Sequence, residues 1–215
     1  MSEGTLDQIT PILPLDFFQV SVDVHPVEDV RSPLKKIHQL PDFSDYLFED
    51  SFAAISVGWH EKGLKWEFKV ASPFEECFFP DWRKGDSLEV WIDTRDLESA
   101  GFITRFCHHF VILSKPVDDF CAYEVTAFRG NESHDLCEPR LLKVESLIGK
   151  KSYTIQFFLP SESLHGYDPS AFDRFGCAFR INRFKETPMH FALSSDYWDI
   201  ESQPSLWCSM QMRKR

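Results

Sequence analysis

The chain has 215 residues, of which 43% are hydrophobic and 21 are phenylalanine, and it carries a formal net charge of −11. That apolar content can fill the core of one large domain and excludes a disordered chain. The acidic balance argues against a nucleic-acid partner, because phosphate binding needs a basic stripe that releases counterions.

The basic run Arg213-Lys214-Arg215 reads as a solvated terminus. No apolar stretch approaches the ~20 residues that span a bilayer, so no membrane partner is expected. Residues 1–7 are polar and acidic, without the apolar stretch of an export signal. Cys77, Cys107, Cys121, Cys137, Cys177 and Cys208 form no C-x-x-C pair and read as reduced thiols. A cytoplasmic location is the expectation.

In chain order, residues 1–50 are interrupted by Pro11, Pro14, Pro26, Pro33 and Pro41. They read as an extended arm packing on the domain, with one short strand candidate at 18–24. Residues 51–215 read as the domain itself. A β-rich run at 52–59 leads through His60-Glu61-Lys62-Gly63, a hairpin loop, into residues 64–70. There Leu64, Trp66, Phe68 and Val70 alternate with Lys65, Glu67 and Lys69, the signature of a strand buried on one face. Further strands are expected at 87–93, 107–113, 122–129, 152–159 and 175–182. A closing strand carries Leu206, Cys208, Met210 and Met212. One helical turn fits residues 161–164. Many short strands with Pro, Gly, Asp and Ser between them predict an all-β fold, a two-sheet antiparallel β-sandwich of jelly-roll type.

If the apolar sets face the core, the alternate residues face outward. They are Glu89, Trp91 and Asp93; Arg180 and Asn182; Thr154 and Gln156; Glu124 and Thr126; and Trp207. Carboxylates, a guanidinium, amides and indoles together suit a polyol, whose hydroxyls need fixed donors and acceptors and whose ring faces need an aromatic platform. The plainer alternative is a Glu89–Arg180 cross-strand ion pair on an ordinary wet face.

Several segments together resemble the family-nine carbohydrate-binding modules and the related DOMON-type sandwiches. Asp81-Trp82-Arg83-Lys84-Gly85-Asp86-Ser87-Leu88-Glu89-Val90-Trp91-Ile92-Asp93 is similar to the family's W-x-x-D-S-V-E-I-F-I-D stretch. Phe175-Gly176-Cys177-Ala178-Phe179-Arg180-Ile181-Asn182 is similar to its penultimate strand, and Gln203-Pro204-Ser205-Leu206-Trp207-Cys208-Ser209-Met210 to its closing one. The likeness spans about residues 50–212. It implies a non-catalytic module in which two Trp rings clamp a terminal sugar while a Glu, an Arg and amides bind its hydroxyls. Trp82 then matches one ring, Glu89 the carboxylate and Asn182 an amide, and Arg180 stands where the family often has Gln. The second ring would fall near Glu201, with Tyr197 and Trp198 just upstream. The family's acidic, calcium-associated loops are replaced here by Ile103-Thr104-Arg105-Phe106-Cys107-His108-His109. The candidate ligand-binding set is Trp82, Glu89, Arg180, Asn182, Trp198 and His109.

Other chemistries carry less. His108-His109, with Cys107, His134, His190 or Asp93, invites a metal, but adjacent strand residues point to opposite faces, and no zinc spacing is present. Haem held by His109 with Met189 or Met210 is a lesser alternative. Glu89 and Asp93, four residues apart on one strand, are too far apart for a glycosidase pair. No catalytic residue, metal or cofactor is expected. Turn 94–96 reads equally as a binding loop or as a structural pair of Arg95 with Asp96. The main alternative function is an intracellular protein-interaction or structural sandwich that has lost the sugar site.

Overall fold

The computed structural model describes residues 20–195 and 199–214. Strands dominate: β1 Ser21–Pro26, β2 Ala53–His60, β3 Gly63–Val70, β4 Ser87–Asp93, β5 Cys107–Val117 and β6 Phe120–Glu124. They are followed by β7 Lys143–Ile148, β8 Tyr153–Pro160, β9 Arg174–Asn182, β10 Met189–His190 and β11 Cys208–Met212. Among the described residues the helical elements are one α-helical turn, Ser44–Leu47, and short 3-10 turns. The fold is all-β.

The strands form one hydrogen-bonded path, β6-β5-β4-β9-β11-β1-β2-β3-β8-β7, with β10 added to β9. β7 lies against β5 and β6, so the path almost closes. β1 joins the two halves and runs parallel to both β11 and β2, while every other pairing is antiparallel. The antiparallel expectation therefore fails at this one strand. β1 lies inside the span read as an arm, and residues 1–19 fall outside the described part.

Alternation explains the core. Leu64, Trp66, Phe68 and Val70 of β3 are buried, as are Tyr153, Ile155, Phe157 and Leu159 of β8. Trp66 stacks on Phe157 with ring centroids 6.0 Å apart, and Phe179 of β9 meets Phe68 edge-on at 5.4 Å. The two halves of the path thus pack face to face through aromatic rings. Lys65, on the other side of β3, reaches the carbonyls of Val30 and Ser32 at 3.1 and 2.7 Å and holds the 27–35 segment down. The β2–β3 turn needs Gly63: its φ is +137°, and a Cβ there would stand 2.0 Å from the Leu159 carbonyl oxygen.

The outward face of the central strands departs from expectation. All seven residues of β4 are buried, so Glu89, Trp91 and Asp93 face no open solvent. Loops cover this side with two apolar clusters. Trp91, Ala178, Ile200 and Trp207 lie in one; Val111, Leu113 and Tyr123, with Phe79 and Trp82 against them, form the other. Trp207 is an inner packing residue whose indole N–H donates to the Ile200 carbonyl at 2.9 Å. Glu124 also corrects the outward assignment. It lies opposite Phe110, on the side of β6 that faces the core. β7 carries no clean alternation and was not expected.

Candidate ligand-binding site beneath the loops

Register builds the site. Glu89 lies opposite Arg180, Ser87 opposite Asn182, and Trp91 opposite both Ala178 and His109. Directly opposed antiparallel residues share a face with Cβ atoms ~5 Å apart, so Glu89, Arg180, Asn182 and His109 converge without help from loops.

The Glu89 carboxylate is the hub. Arg180 donates to Oε1 from Nε at 2.8 Å and from Nη2 at 2.5 Å, and Asn182 Nδ2 donates to the same oxygen at 2.9 Å. Arg83 donates Nη2 to Oε2 at 2.8 Å, and its Nε lies 3.1 Å from both oxygens. His109 Nε2 is 3.1 Å from Oε2. The Glu89 side chain is 0% exposed. Burial pushes its pKa up, but hydrogen bonds from His109 and Arg83 and the charge of Arg180 outweigh that and hold the carboxyl well below the usual range.

Arg83 is positioned by the 3-10 turn Trp82–Lys84. Asp86 anchors that loop by accepting the backbone N–H groups of Glu75 at 2.7 Å, Glu76 at 3.1 Å and Phe184 at 3.2 Å. Ser87 Oγ donates to the Trp82 carbonyl at 2.8 Å and accepts from Asn182 at 3.0 Å, tying the turn to the hub. The same Arg83 Nη2 also pairs with Glu201, which approaches from a second loop. Beyond Arg180 the polar chain continues. Arg180 Nη1 donates to Ser195 Oγ at 3.1 Å, Ser195 lies 2.6 Å from His190 Nε2, and His190 Nδ1 lies 2.7 Å from Glu49.

Trp82 flanks the hub. Its half-buried indole stacks on Phe79 at 5.9 Å, and Phe79 stacks on Tyr123 at 3.7 Å. Trp82 meets His109 edge-on at 6.0 Å. The indole nitrogen is buried without a hydrogen-bond partner. Trp198 and Tyr197 lie outside the described residues. Of the predicted set the structure therefore brings five together, with the hub enclosed rather than lining an open recess. Sequence reasoning assigned no role to Arg83, Ser195 or Glu49, and considered His190 only as a partner for a metal at His108-His109. Arg83 had a visible signal, as the residue beside Trp82 in the loop leading into β4.

Three sequence readings need correction here. His108 and His109 do point to opposite faces, but both are buried, so neither sits on a wet surface. A haem bridge fails because Met189 and Met210 belong to the inner core, whereas His109 lies on the other side of the sheet, stacked on Trp91 at 4.5 Å. In the 94–96 turn, Arg95 and Asp96 do not pair with each other. Arg95 lies over Phe172 at 3.6 Å, and Asp96 accepts from Ser209 at 2.5 Å and pairs with Arg174 at 3.1 Å. That turn is held structurally.

No profile of a known protein family matches the chain, and no curated protein matches it by sequence. Solved structures do. A family 9 carbohydrate-binding module from Caldicellulosiruptor kristjanssonii, in complex with cellotriose, superposes with a TM-score of 0.61 at 12% identity, covering 91% of this chain and 94% of that one. The glucose complex of a family 9 module from the same organism gives 0.60 at 12% identity, covering 90% and 97%. A protein from Bacteroides uniformis, provisionally described as carbohydrate-binding, gives 0.53 at 11% identity, covering 90% and 99%. The chain has a fold like that of the family 9 modules.

Proposed function

We propose that this chain is a non-catalytic binding module for a carbohydrate or another small polar ligand, carried on a two-sheet jelly-roll-like sandwich. The observation that carries the reading is the Glu89 hub, a fully buried carboxylate held by Arg180, Asn182, His109 and Arg83 beside the Trp82 indole. The likeness to modules that hold cellotriose and glucose supports it.

The two layers of the site differ in strength. Arg83 and Glu201 are 42% and 44% exposed, and exposed ion pairs contribute only ~0–1 kcal/mol. The Glu89–Arg180–Asn182 layer is enclosed and costly to break. A ligand therefore enters by displacing the outer pair: hydroxyls take over the Arg83 and Glu201 contacts, an apolar ring face lies near Trp82, and the inner layer stays fixed as a preorganised floor. Trp198, three residues before Glu201, is proposed as a further contact. The same reading has no nucleic-acid or membrane partner; among the described residues no helix is long and apolar enough to cross a membrane. The cytoplasm is the proposed compartment, and six free cysteines suit it.

The test is calorimetric titration with glucose and cellotriose, preceded by a glycan screen. Binding is expected, and Trp82→Ala should weaken it about tenfold, the size of one lost aromatic contact, with the thermal melt confirming an intact fold. Binding indifferent to Trp82→Ala removes the proposed site. A second reading, an interaction sandwich without a sugar site, is favoured by the fact that the chain's own side chains already occupy both Glu89 oxygens. It predicts a silent glycan screen, with hub substitutions affecting stability alone.

A further inference from the structure

On the opposite side of β5 from the Glu89 hub, His108 and His134, paired in the sequence only as a loose metal reading, meet a third donor, Glu124, that the sequence did not add to them. His108 comes from β5, Glu124 from the end of β6, and His134 from the loop that follows. Their side chains are 0%, 0% and 5% exposed. His108 Nδ1 and His134 Nε2 each lie 2.8 Å from Glu124 Oε1. One nitrogen of each ring and the carboxylate oxygen all fall within 4.8 Å of one another.

The geometry of this cluster leaves a place for a cation among the three donors. His134 Nδ1 is 2.7 Å from the Arg105 carbonyl oxygen, which can only accept, so Nδ1 carries the hydrogen. When the ring is neutral, its Nε2 turns a lone pair toward Glu124 Oε1. That oxygen also only accepts, and it already takes the Thr126 hydroxyl at 2.9 Å. Two lone pairs facing each other in a buried site repel unless a positive centre lies between them, and either a second ring proton or a metal ion can fill that place. Without a metal, His108 Nδ1 donates to this same acceptor-only oxygen at 2.8 Å. Its Nε2 is buried without a partner and would carry the hydrogen once Nδ1 ligates a metal.

The surroundings hold the three donors in place. Thr126, which orients Glu124, itself accepts the His109 backbone N–H at 2.8 Å, and the Cys137 backbone N–H donates to Glu124 Oε2 at 2.6 Å. A bidentate Arg105–Glu132 pair, at 3.0 and 2.8 Å, ties down the loop that carries His134. A ligand histidine whose second nitrogen is held by a carbonyl, beside a carboxylate that is itself hydrogen-bonded, is the outer arrangement that metal sites use to fix donor orientation.

We propose that His108, Glu124 and His134 form a divalent transition-metal site, with zinc the ion that this His2Glu set fits best and a fourth position open to water. The proposal is independent of the carbohydrate reading, since the two sites lie on opposite faces of β5. Metal binding would hold the His134 loop against β5 and β6.

The experiment is to strip the full chain with EDTA, titrate it with zinc chloride by calorimetry, and count bound metal by mass spectrometry. One zinc per chain and a raised melting temperature are expected, and cobalt in place of zinc should give the visible bands of a four-coordinate site. Glu124→Gln and His134→Ala should each weaken zinc binding roughly 100-fold or more and abolish the cobalt bands. Melts of the metal-free variants establish that they fold. A stripped protein that takes up no stoichiometric zinc overturns the proposal, as does stoichiometric zinc that persists in a folded His134→Ala variant.

Discussion

A carboxylate fully excluded from solvent yet surrounded by two guanidiniums, an amide and an imidazole makes Glu89 the most consequential single residue. Glu89→Gln removes the charge and leaves Arg180 buried without it, so a loss of about 3–5 kcal/mol is expected in a denaturant melt. The pH dependence has a definite sign. The folded-state pKa of Glu89 lies below its unfolded value of ~4.3. The stabilisation is therefore complete above ~4.3 and is lost as pH falls toward the folded value. Melting temperature followed from pH 7 downward should drop on the acid side, and the drop should be shallower in Glu89→Gln. Glu89, Arg180 and Asn182 were legible as neighbours because period two and strand order place them on one face. Their enclosure was not, because Arg83 and Glu201 arrive from loops 118 residues apart in sequence.

Among the elements, legibility followed self-sufficiency. β3 and β8 announce themselves because each buries one complete alternating set. β7 does not: Leu147 is 77% exposed, and the strand is fixed only by its pairing with β8. The β2–β3 hairpin was readable from its Gly. Gly63→Ala forces a positive φ on an L side chain and drives its Cβ into the Leu159 carbonyl. A loss of about 1–3 kcal/mol is expected, visible as a melting temperature lowered by several degrees. An unchanged melt would show that the turn can relax.

For the whole molecule, β1 is the joint. It supplies the hydrogen bonds that connect β11 to β2, and without it both strands become open edges. A chain beginning after Pro26 is expected to lose its cooperative melt or to associate through those edges, as light scattering and calorimetry would show. A sharp, unshifted transition would mean that the two halves hold together through the aromatic core alone.

What the amino-acid order determined by itself was everything carried by local periodicity: an all-β chain, most of its strands, and the common face of Glu89, Arg180 and Asn182. Tertiary structure decided what covers that face, which strand joins the halves, and that His108 meets Glu124 and His134 rather than His109. The physical reason is that alternation specifies a side of a strand, whereas burial and ligand geometry depend on segments that approach from far along the chain, at positions no local pattern records.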